Sequence, residues 1–134
     1  MNHPNKIIIH CSATQEGLDF RARDVKRWHL NEGYADIGYH YIIDLDGTIE
    51  KGRNEDVIGA HCKGQNSQSI GICYIGGLDA SNAPKDTRTV QQKAALYRLI
   101  TDIRERYGNL PVYGHNEFAN KACPCFNVRE EWGE

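Results

Sequence analysis

The chain has 134 residues, 40% apolar and 25% charged, with a formal net charge of −2 when its six histidines are counted neutral. That length buries a core without covalent staples, and that composition excludes a disordered or fibrous chain. The charge balance gives no electrostatic reason to expect nucleic acid. An odd set of five cysteines (Cys11, Cys62, Cys73, Cys123, Cys125) argues against a disulfide framework.

The opening MNHPNKIIIHC has a three-residue apolar run, which predicts neither a signal peptide nor a membrane span. KIIIHCSA (6–13) reads as a buried, β-branched strand that runs into a loop. In LDFRARDVKRWHLNEGY (18–34), Val25, Trp28 and His29 fall at helical spacing and Gly33 is a stop. GYHYIIDLDGTIEKG (38–52) predicts two strands around a tight Asp46-Gly47 turn. Residues 56–68 carry Gly59, Gly64, Asn66 and Ser67 and read as a loop.

SIGICYIGG (69–77) alternates little and reads as a buried strand, followed by a surface loop over 78–87. TVQQKAALYRLITDIRERYG (89–108) predicts a helix with an apolar stripe of Val90, Ala94, Leu96, Tyr97, Leu99, Ile100 and Ile103, ended by Gly108. LPVYGH (110–115) is a last strand. Alternating strands and helices predict an α/β fold: one domain over 1–134, with a central mixed sheet flanked by helices.

The chemistry concentrates in YGHNEFANKACPCF (113–126), where His115 and Cys123 bracket Glu117 and Lys121. Zinc accepts neutral imidazole and thiolate, and a catalytic site uses three protein ligands. His10, at the end of the first strand, is the best third candidate, because strand ends of one sheet share a rim. A histidine at a strand end also serves as a hydrogen-bonded structural residue. The eight-residue separation is not a finger spacing, and no C-x-x-C pair exists. Spacing alone leaves the metal question open.

Four segments carry more than spacing: IIIHCSAT (7–14), VKRWHLNEGYADIGYHYIIDLDGTIEKGR (25–53), GAHCKGQNSQSIGICYIGG (59–77) and GHNEFANKACPCF (114–126). In this order they resemble the type 2, zinc-dependent N-acetylmuramoyl-L-alanine amidases, a group that includes phage lysozymes with amidase activity and the animal peptidoglycan recognition proteins. The resemblance spans nearly the whole chain and is nearest to the phage branch, where cysteine is the third ligand. It implies Zn2+ held by His10, His115 and Cys123 at one rim of the sheet, with Tyr39 and Lys121 assisting catalysis. It implies hydrolysis of the amide between N-acetylmuramic acid and L-alanine, on intact wall or on soluble muropeptide.

Other residues carry two readings each. His61 and Asn66 lie in a loop that lines the cleft, where they hydrogen-bond sugar or stem peptide, or else form a surface histidine and a loop-stabilising amide. Glu117 orients a ligand, ties down its loop, or is simply solvated. His40 and Cys11 should face away from Tyr39 and His10, since neighbours on a strand alternate. His29 reads as packing. Cys125 replaces a small polar residue of the relatives, and as a second thiol it competes for metal or oxidises.

The rival functions are a recognition module that binds peptidoglycan without cutting it, a glycosidase built on carboxylates such as Glu50, Glu55 or Asp56, and a cysteine protease using Cys123. A protein of this kind is expected to be a monomer with no nucleic-acid partner and no stable membrane association. It is cytoplasmic as synthesised, and acts on the wall once released if it is a lysin.

Overall fold

The computed structural model describes residues 1–133. Seven strands and three helices follow in the order β1 (Lys6–Cys11), β2 (Thr14–Gln15), α1 (Ala22–Asn31), β3 (Tyr41–Ile43), β4 (Ile49–Lys51), β5 (Ser69–Tyr74), β6 (Gly77–Leu78), α2 (Val90–Tyr107), β7 (Val112–Gly114) and α3 (Val128–Trp132). Five strands form one sheet in the order β4-β3-β5-β1-β7. The β3-β4 hairpin is antiparallel and every other pairing in that sheet is parallel, so the sheet is mixed as expected. β2 and β6 form a separate two-stranded parallel ribbon.

The sheet buries both faces, which is why β1 and β5 read as continuous apolar runs rather than alternating ones. One face carries Ile7, Ile9, Ile43, Ile70, Ile72 and Tyr74 against α2 and α3. The other carries Ile42 and Ile75 with Val25 of α1 and Ile37. β1 pairs with β5 so that Ile8 lies beside Gly71 and His10 beside Cys73. Residues of β1 alternate, so His10 points to the α1 side while Cys11 joins the α2 side.

The ends of α2 follow their local chemistry. The Thr89 hydroxyl accepts from the Gln92 N–H while the Gln92 amide oxygen accepts from the Thr89 N–H, a reciprocal cap. Gly108 leaves the helix at φ 89°.

The predicted apolar stripe of α2 is corrected in part. Leu96, Leu99, Ile100 and Ile103 are buried, but Val90, Ala94 and Tyr97 are exposed, with Val90 at 81%. At 100° per residue those three share the far side of the helix from Leu99 and Ile103. Their places in the core are taken by Ala95 and by Gln92, whose amide donates to the carbonyls of Ile43 (3.4 Å) and Ile75 (2.9 Å). A buried amide is tolerated because its donor is satisfied by strand-end carbonyls.

Three elements carry too little periodicity to be read from sequence: β2 and β6, the two-residue strands of the ribbon, and α3, five residues capped by Asn127. α3 is held by tertiary contacts. The Arg88 guanidinium is 2% exposed, lies 3.4 Å over the Phe126 ring, and pairs with Asp86 and with Glu131 of α3.

Candidate active site

The strand register brings the histidines together. β1 and β7 are parallel with Ile9 beside Gly114, so the next residues, His10 and His115, leave the sheet at the same rim. Their ring centroids are 4.5 Å apart. Cys123 returns through the loop after β7, and its Sγ accepts a hydrogen bond from the Cys11 N–H at 3.1 Å. One ligand atom each from His10, His115 and Cys123 lie within 4.8 Å of one another.

The donor set fits a metal ion. Burial, and then the neighbouring His61, His115 and Lys121, hold His10 well below the usual imidazole range. Burial and Lys121 lower His115 as well. Both rings are therefore neutral near pH 7, the form that binds metal, and with one thiolate they make an N2S set suited to zinc. Cys125 is not part of this group. Its Sγ is 3.8 Å from that of Cys11, and burial pushes its thiol up to about 12.

Tyr39 packs against the site, with its ring centroid 5.1 Å from that of His10. Burial, reinforced by the Cys73 and Cys123 thiols, raises its phenol well above the ordinary value, so in the metal-free protein it is a proton donor rather than a base. Lys121 is exposed at the edge of a cleft of about 730 Å³ that opens onto His115. Tyr34, Lys63, Asn66 and Phe118 supply other walls, and no carboxylate lines this cleft among the described residues.

His61 lies deeper than a surface residue: its Nδ1 is 2.8 Å from Nε2 of His10 and its Nε2 is 3.2 Å from the Ser69 Oγ. This contact was not legible in the sequence. The glycines flanking the GAHCKG segment are its only local signal. Asn66 stabilises its loop, its Oδ1 accepting from the N–H groups of His61 and Cys62, both at 2.9 Å.

Glu117 ties down the turn after β7 by accepting from the Gly114 N–H and pairing with Arg129. His40 and His29 are structural. His40 bridges the Val57 carbonyl and the Gly71 N–H, and His29 accepts from the Gly38 N–H. Of the carboxylates considered for a glycosidase, Glu50 caps α1 through the Ala22 N–H, and Glu55 is engaged by Tyr41, Arg106 and Tyr107. Neither faces the cleft.

Comparison with known proteins decides the family. A model of the N-acetylmuramoyl-L-alanine amidase family matches residues 1–126. The chain belongs to that family. The amidase is 41% identical to the endolysin of Klebsiella phage KP32 over 128 residues, covering 96% of this chain and 85% of that one. It is 39% identical to the endolysin of Escherichia phage T7, covering 94% and 83%.

Solved structures agree. The amidase superposes on the N-acetylmuramoyl-L-alanine amidase LysC from Clostridium intestinale with a TM-score of 0.82 at 26% identity, covering 97% of this chain and 85% of that one. Drosophila PGRP-LB gives 0.83 at 28% identity, covering 98% and 82%.

Proposed function

We propose that this amidase uses zinc held by His10, His115 and Cys123 to hydrolyse the bond between N-acetylmuramic acid and L-alanine in peptidoglycan. The observation that carries the reading is the convergence of two neutral imidazoles and a thiol within 4.8 Å beside a cleft with cationic walls. Zinc in such a site supplies Lewis acidity, making water nucleophilic near neutral pH and polarising a carbonyl.

The chain's own residues do the rest. Amide hydrolysis places negative charge on the carbonyl oxygen. The Lys121 ammonium, close enough to depress both His10 and His115, provides positive potential there. The Tyr39 phenol is a second donor to the same oxygen. Losing one such donor costs about 3 kcal/mol of transition-state stabilisation. Asn66 and the ring face of His61 form part of the wall against which sugar or stem peptide lies, with the hydrogen-bonding atoms of His61 already engaged inside the protein.

The likeness to phage endolysins supports a lytic role. The protein would be held in the cytoplasm and act on the wall after release, as a monomer and a single catalytic domain. Among the described residues no helix is long and apolar enough to cross a membrane. The likeness to recognition proteins supports one other reading, binding without cleavage.

Mass spectrometry of the products from purified peptidoglycan, with and without a zinc chelator, tests these readings. Stem peptides beginning with L-alanine, lost on chelation and restored by zinc, are the expected result. Cut glycan would require a glycosidase. Retained wall with no product would leave recognition alone.

A further inference from the structure

His61 is bonded through both ring nitrogens, and the chain of bonds ends on an atom that can only accept. The Ser69 hydroxyl donates to the Gln65 carbonyl at 2.8 Å. Its single hydrogen is thereby used, so it accepts from Nε2–H of His61 at 3.2 Å. A neutral imidazole carries one ring proton. With that proton on Nε2, Nδ1 is a bare acceptor. The 2.8 Å contact then requires His10 to donate from Nε2, which leaves Nδ1 of His10 as its only lone pair.

The fold holds His61 in this place from several sides. An added Cβ at Gly71 would lie 2.7 Å from three atoms of the His61 ring, and one at Gly59 would lie 2.8 Å from its Cδ2. The ring sits against two residues that have no side chain to displace it. Its backbone N–H is bound by Asn66 at 2.9 Å.

We infer that His61 is a positioning residue: it fixes His10 as the Nε2–H tautomer and so presents Nδ1 of His10 to the zinc shared with His115 and Cys123. The inference rests on the ligand set proposed above. Partners of this kind orient metal-bound histidines, and their loss typically weakens metal binding about 10- to 100-fold.

Long-range 1H–15N correlation of the metal-free wild-type protein reads the tautomer directly. The expected result is His10 protonated at Nε2. Protonation at Nδ1 overturns the inference. Zinc affinity, measured by competition with a chromophoric chelator, is then compared across two variants. His61→Phe keeps a ring but removes the acceptor, and is expected to bind zinc about 10- to 100-fold more weakly. His61→Asn places an amide oxygen near the Nδ1 position and is expected to recover most of that loss.

Wild-type affinity in a folded His61→Phe protein overturns the inference. So does a loss in His61→Asn equal to that in His61→Phe, because that pattern marks a merely space-filling role. The tautomer is read without metal, so a wild-type protein that shows Nε2–H yet binds no zinc overturns the ligand assignment and leaves the His10–His61 pairing standing.

Discussion

The N–H of Cys11 donates to the Sγ of Cys123 at 3.1 Å, joining the end of β1 to a loop 112 residues later. The bond anchors the loop so that the sulfur stands beside the His10 and His115 rings. Cys123→Ser keeps the shape of the side chain and removes the soft ligand. We expect its zinc affinity to fall more than about 100-fold and stem-peptide release to fall with it. Metal-free stability should change by less than about 1 kcal/mol. Zinc titration with a competing chelator checks the first point, and full zinc stoichiometry in the serine variant would remove Cys123 from the ligand set.

Lys121 separates catalysis from metal binding. It is exposed and is not part of the ligand group, yet its charge reaches both ligand histidines. Lys121→Ala is expected to keep its zinc and to lose about 100-fold in kcat, with KM little changed. Parallel measurement of zinc content and turnover distinguishes this from a structural defect. Unchanged kcat would leave the oxyanion to Tyr39 and the metal.

Arg88 links the chain before α2 to α3. With its guanidinium buried between Asp86 and Glu131, Arg88→Met strands two partly exposed carboxylates beside the Phe126 ring. We expect a loss of about 2–4 kcal/mol in urea unfolding, towards the lower end of the cost of breaking a buried pair because both acids reach solvent. A loss below about 0.5 kcal/mol would show that the pair only replaces the hydration of its members.

Asp44 makes stability depend on pH in a direction opposite to most carboxylates. It is fully buried, its Oδ1 has no partner among the described residues, and burial beside Glu50 pushes it up to about 7 despite the Arg21 guanidinium at 3.2 Å. The folded value lies above the unfolded one, so between about pH 4 and 7 the native state holds a proton that the unfolded chain releases. Stability from this group therefore falls as pH rises through that window. We expect stability from this group to fall by about 2–3 kcal/mol between pH 5 and 8, a change absent in Asp44→Asn. Denaturant titrations at the two pH values check it, and equal slopes in both proteins would place the carboxylate with Arg21 as an ordinary ion pair.

Local physics made much of this molecule readable. The branched run of 7–9, the Asp46-Gly47 turn and the Thr89–Gly108 boundaries of α2 each depend on neighbours within a few residues, so periodicity and caps report them directly. His10, His115 and Cys123 were legible as metal-binding residue types, and the family motifs singled them out.

Their meeting was a matter of register. Whether Ile9 lies beside Gly114, and Gly71 beneath a histidine ring, is set by which strands pair and by how both faces of the sheet are covered. The same packing decided that Gln92 rather than Val90 faces the core, and that His61 ends against His10. Sequence by itself determined the elements and the reactive side chains, because torsional preference, capping and ligand chemistry are local. Only the tertiary structure decided which of those side chains touch, because contacts across 51 to 112 residues depend on the free energy of the whole packed core.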